Sequence, residues 1–204
     1  MQQLKNIGRP KEFILVLFQI TSFFLFAWAL FQNFSIGWWA LALFGYFLIF
    51  GLGITVAFHR LMAHRSFELW KPLEYLFALF ANLGCTGSSV GWIFVHRAHH
   101  KFSDKQGDPH SPAVYGRIGA MIGQYGGQFD KWVVRDIIAN PTHQFYHNYY
   151  HLIIISLALA LCSINFELFL FLYAIPVFLN TIASRMSNWI DHESSFGKRN
   201  FATR

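Results

Sequence analysis

Two stretches of this chain carry almost no charge, and that pattern limits its fold more than any other feature. From Phe13 to Phe58 there is no Asp, Glu, Lys or Arg, and from Ile137 to Ser184 Glu167 stands alone. Each stretch is nearly fifty residues long. A membrane-crossing helix needs about 20 apolar residues, so each stretch has room for a hairpin of two. In the first, FILVLFQITSFFLFAWAL and WWALALFGYFLIFGLGITVAF flank the polar break QNFSIG; in the second, LIIISLALALCSI and LFLFLYAIPVFLNTIA flank NFE. The competing reading, a soluble helical core, needs a polar face toward water, and gaps this long offer none. Charged residues make up 13% of the whole, against about a quarter in soluble domains.

All sixteen Lys and Arg residues lie outside the two hairpins: near the N-terminus (Lys5, Arg9, Lys11), between Arg60 and Arg135, and from Arg185 onward. The bias of cations toward the cytoplasmic face puts these three regions, and both termini, on that side. The formal net charge of +6 follows from this layout and suits anionic headgroups or an anionic substrate. No dense basic run points to nucleic acid. The N-terminal segment leads into a full-length span without a small-residue cleavage site, so it reads as an anchor. Cys85 and Cys162 fall in a cytoplasmic-side segment and a span respectively, and no disulfide is expected between them. Residues 73–95, LEYLFALFANLGCTGSSVGWIFV, form the one further apolar stretch. Lys71, Glu74 and the run GCTGSS make it a poor span, and a crossing there would put the histidines before and after it on opposite faces. An in-plane or partly re-entrant helix is expected instead.

Those histidines are the second constraint. HRAHHKFSDKQGDPH, residues 96–110, holds four of the chain's ten histidines. His96, His99 and His100 at i, i+3 and i+4 share one face of a helix. His59 and His64 lie five apart in FHRLMAHRSF, just after the second span, and Asn188 and His192 lie four apart beyond the fourth. The topology brings all three groups to the same mouth of the bundle. Neutral imidazole suits iron, zinc or copper. Six histidines exceed a tetrahedral site, which usually includes cysteine when structural, and suggest two metals. Asp104, Asp108, Asp191 and Glu193 are candidates to accept the second N–H of a ligating ring. The plainer alternative is a set of interfacial histidines bound to headgroups, which would suit one histidine better than three patterned groups.

HRLMAHRSF followed by HRAHHKFSDKQGDPH resembles the membrane-bound fatty acid desaturases, of the acyl-CoA Δ9 (stearoyl-CoA-desaturase-like) or bacterial acyl-lipid type. The resemblance runs from about Phe13 to the end. It implies an all-α integral membrane protein: four transmembrane helices in two hairpins, 13–58 and 149–184, with a cytoplasmic helical cap at 59–136 and an N-x-x-x-H segment at 185–204. The whole, 1–204, is one domain in the bacterial inner membrane or endoplasmic reticulum. It further implies two non-haem irons, held by His59, His64, His96, His99, His100 and His192 directly and by Asn188 through water. The partners implied are a fatty acyl substrate, as acyl-CoA or acyl-lipid, and an electron donor, cytochrome b5 or ferredoxin. The activity implied is O2-dependent desaturation of a long acyl chain, Δ9 by resemblance.

Three departures qualify these expectations. The family's third box, H-N-x-H-H, has no counterpart after Asn188 within the 204 residues, so a truncated desaturase is expected. HNYYH, residues 147–151, precedes the third span, and His147 and His151 are not expected to be ligands. Phe94 and Val95 stand where acyl-CoA members carry an Arg-Asp pair, and SPAVYGR offers only Arg117 where they carry a basic pair. A lipid- or carrier-linked chain therefore stays open. Alternatives are a related histidine-box membrane hydroxylase and an inactive fragment.

Overall fold

The computed structural model describes residues 9–103, 105–122 and 130–190, and every regular element among them is helical. Helix α1 is Arg9–Ala29, and α2 is Ile36–Ala63. A cap follows: α3 (Lys71–Leu83), α4 (Ser89–Phe102), α5 (Pro112–Ile122, kinked at Gly116), and a 3-10 turn (Lys131–Val134) leading into α6 (Arg135–Ile138). Then come α7 (Pro141–Asn148), α8 (Tyr150–Ile164) and α9 (Phe166–Ile190).

Helices α2 and α9, of 28 and 25 residues, are long and apolar enough to cross a membrane. The pair α7 and α8, bent by 68°, would make a third span if counted as one, and Phe13–Ala29 is a shorter apolar helix. The stretch 73–95 is broken into α3 and α4 by a turn at residues 84–88. Helix α3 has 13 residues; at about 1.5 Å per residue it reaches about 20 Å, short of the roughly 30 Å hydrocarbon layer.

The turn keeps its backbone satisfied through side chains from three other helices. Gln19 Nε2 on α1 donates to the Cys85 carbonyl at 2.7 Å, Asn180 Nδ2 on α9 donates to the Gly84 carbonyl at 2.7 Å, and the Tyr150 hydroxyl on α8 accepts from Gly87 N at 3.0 Å. Irregular backbone shielded from water survives only with such partners. Cys85, with φ 58°, occupies the left-handed region, which L side chains rarely adopt.

Helix α2 is the axis of the molecule, and two glycines let its neighbours close in. A Cβ on Gly45 would stand 2.5 Å from the Leu172 carbonyl oxygen of α9, and one on Gly53 2.5 Å from the Ala81 nitrogen of α3. Around its lower half lies a core of Ile54, Ala57, Phe58, Leu61 and Met62 with Ala78 and Ala81 of α3, Val90 and Ile93 of α4, and Val134 and Ile137. The cap is thus packed onto the end of α2. That end does not stop at Phe58: the helix continues to Ala63, widening to π-helical hydrogen bonding from Phe47, and His59 rides its last turns.

Candidate metal centre

The π register explains the five-residue spacing of the first histidine pair. In an α-helix at about 3.6 residues per turn, residues five apart point about 140° away from each other. With bonding of i to i+5 they return to the same side. His64 N donates to the His59 carbonyl at 3.0 Å, and the two rings lie 4.6 Å apart.

Helix α4 brings the second set. Ser88 caps its N-terminus, accepting from Gly91 N at 3.3 Å. His96 and His100, four apart, fall on one face toward α2. Their Nε2 atoms lie 3.0 Å apart, and His96 Nε2 lies 3.2 Å from His64 Nε2. His59, His64, His96 and His100 each offer a ring nitrogen, and all four nitrogens lie within 4.8 Å of one another. Trp92, one turn before His96, stacks on its ring at 4.8 Å and 15° and packs on Phe58, which fixes the ring plane.

This donor set fits a transition metal. Nitrogens at about 2.1 Å from a metal are about 3.0–3.4 Å from each other at neighbouring positions of octahedral or tetrahedral geometry, as His96 Nε2 is from the Nε2 atoms of His100 and His64. Burial, then the neighbouring imidazoles, pushes His96 well below the usual histidine range; burial and then Arg97 lower His64. Neutral rings are the ligating form.

His99 lies beside this group and outside it. Its Nδ1 meets Asp108 Oδ1 at 2.7 Å. Asp108 is fully buried, also accepts from His110 N at 2.9 Å, and stands where a carboxylate orienting a ligand ring would. Asn188 Nδ2 lies 3.3 Å from His110 Nδ1, and the rings of His110 and His99 are 5.8 Å apart. His99, Asp108, His110 and Asn188 therefore form a second polar group next to the four-histidine cluster. His192, Asp104, Asp191 and Glu193 lie outside the described residues. His147 serves elsewhere, its Nδ1 2.6 Å from Ser88 Oγ, and neither it nor His151 joins the four-histidine cluster.

Sequence reasoning left two contributors unassigned. His110 was visible in the D-P-H of the second stretch, but nothing in the pattern tied it to Asn188, 78 positions away. Arg97 was visible only as the residue between two histidines. It reaches the carbonyls of Met62 and Ala63 at 2.6 and 3.3 Å, that of Val133 at 2.7 Å, and both oxygens of Asp136 at 2.8 and 2.9 Å.

No known protein-family model matches the chain. It is 33% identical to the sn-1 stearoyl-lipid 9-desaturase of Synechocystis sp. over 97% of its own length and 67% of that protein's. The chain belongs to the fatty acid desaturase family. It is also 39% identical to the sn-1 stearoyl-lipid 9-desaturase of Anabaena variabilis over 64% of this chain and 49% of that one. With Delta-9 acyl-lipid desaturase 2 of Arabidopsis thaliana it shares 48% identity over 45% of this chain, spanning 30% of the plant protein. The family's members are oxidoreductases.

Proposed function

We propose that this chain carries out, or forms the catalytic core for, O2-dependent desaturation of a long-chain fatty acyl group at a histidine-held di-iron centre. The observation that carries the reading is the convergence of His59, His64, His96 and His100, from two helices, with their ring nitrogens within 4.8 Å. These four would hold one iron. His99, oriented by Asp108, would hold the second together with His192, with Asn188 contributing through a water. When bound, such a pair of irons reduces O2 and supplies the oxidant that an unactivated methylene C–H bond requires. The chain's own residues do the rest: Trp92 and Asp108 hold ligand rings in place, and the apolar bundle excludes water and aims one pair of carbons at the site.

The substrate reading favours a lipid-linked acyl chain. The relatives named above act on stearoyl-lipid or acyl-lipid, and Phe94 and Val95 offer no charge to a coenzyme A phosphate. Cytochrome b5 or ferredoxin would deliver the electrons. In the bilayer, α1 with α2 and α8 with α9 would make two hairpins, four crossings in all, with the cap and both termini in the cytoplasm.

The test is to express the chain in membranes, supply saturated acyl chains and an electron donor, and map any new double bond by mass spectrometry, with bound iron measured in parallel. An alkene at one position, with about two irons per chain, supports the reading. A hydroxylated product without alkene makes it a hydroxylase, and a folded chain without iron makes it inert.

A further inference from the structure

We infer that Arg97 is the positioning residue that sets the spacing between the two histidine groups, clamping the end of α2 onto α4. A helix leaves its last carbonyls without intrahelical partners, and a cation there also answers the negative end of the helix dipole. At the end of α2 those carbonyls include Met62 and Ala63, which immediately precede His64. They are met by Arg97 Nη2 at 2.6 Å and Nε at 3.3 Å. The same guanidinium donates to the Val133 carbonyl at 2.7 Å and, in a two-pronged pair, to Asp136 at 2.8 and 2.9 Å. Its side chain is 15% exposed.

Arg97 follows His96 directly, so one planar side chain ties the backbone next to His64 to the backbone next to His96. These are the two histidines whose Nε2 atoms stand 3.2 Å apart. Only a guanidinium can serve five acceptors from one rigid fork; a lysine presents three donors at a single point. Asp136 aims the fork and is itself held from outside by Arg65 at 2.6 Å, a residue 64% exposed.

Only the metal-binding consequence rests on the reading of the cluster as a metal centre; the clamp is testable without metal. The parent chain, R97Q, R97K, D136N and R65Q would be purified in detergent and compared for helicity and monodispersity. The first readout is hydrogen–deuterium exchange of metal-free protein over residues 59–66, where His64 N and Ser66 N close the last turns. Exchange is expected to rise about tenfold in R97Q and R97K, less in D136N, and not in R65Q. The second is titration with cobalt(II) alone, followed by its visible absorption, with H96A to show that binding is at the cluster. Affinity is expected to fall about 10- to 100-fold in R97Q and R97K. Parent-like protection of residues 59–66 in R97Q, or in R97K if R97Q fails to fold, overturns the clamp. Parent-like cobalt affinity in both overturns its role in spacing the site. Should the parent bind no cobalt in a His96-dependent way, the metal reading fails, and exchange alone decides the clamp.

Discussion

Two rings stand at the centre of the site. His96 touches His59, His64 and His100, with ring centroids 4.7, 5.2 and 4.5 Å away, and His64 likewise touches the other three, at 4.6, 5.2 and 4.5 Å; of the two, it is His96 whose ring stacks on Trp92. His96→Ala is therefore expected to remove the metal held by the four-histidine group and to abolish activity, read as iron per chain and product formed. His147→Ala removes the bond to Ser88, worth about 1 kcal/mol, and should keep parent iron content; a matching loss in both variants would contradict the assignment of ligands. A second residue-scale prediction concerns His143, buried on α7 with Nε2 3.5 Å from Glu74 Oε1. Burial lowers its pKa, and Glu74 only partly opposes this. A base whose folded pKa is lowered refuses the proton that the unfolded chain accepts. Its contribution is fully present above the unfolded value of about 6.5 and is lost as pH falls below it. Between about pH 7.5 and about pH 5, metal-free parent should lose thermal stability and His143→Gln should lose less. An identical loss in both would remove His143 from the explanation.

At the scale of elements, the histidine spacing and the local backbone have to agree. The i, i+4 pair of His96 and His100 was legible in the sequence because an α-helix alone brings those positions together. The five-residue spacing of His59 and His64 was legible as a pair but not as a geometry. Nothing in FGLGITVAFHRLMA signals the i to i+5 bonding that turns both rings to one side. The break inside residues 73–95 was readable from GCTGSS, whereas the side chains that sustain it, Gln19, Tyr150 and Asn180, lie 63 to 96 positions away. Long-range polar partners leave no local pattern, and the same holds for His110 with Asn188 and for Arg97 with Asp136. The glycine contact between α2 and α3 is the element-scale lever. A side chain at Gly53 meets the backbone of Ala81 and Phe80, so neither helix can yield by turning a rotamer. Gly53→Val should push α3 off α2 and cost about 1–3 kcal/mol, seen as a lower melting temperature. Gly37→Val, with only Ser35 Oγ within 4 Å, should change it little. Equal effects would mean that the close approach does not limit packing.

For the whole molecule, the histidine cluster itself constrains topology. His64 and His96 meet at 3.2 Å, so the chain between them must cross the membrane an even number of times. It contains only the 13-residue α3, a turn and the start of α4, too short for two crossings at about 30 Å each, so the number is zero. The segment from His64 to His96 then lies on one side, and on the topology proposed above that side is the cytoplasmic one, by the bias of Arg60, Arg65 and the other cap cations. If α1 and α2 form one hairpin and α8 and α9 another, Ser35 and Glu167 lie on the opposite side. In a Cys162→Ser background, with Cys85 buried, single cysteines at Ser35 and Glu167 should react with a membrane-impermeant maleimide from outside intact cells or right-side-out vesicles. Cysteines at Lys105 and Arg117 should react only after the membrane is opened. Labelling of Ser35→Cys and Lys105→Cys from the same side would leave α2 as a helix that does not cross. The cluster would then sit on a chain that lies along the bilayer, with no apolar bundle in which to hold an acyl chain.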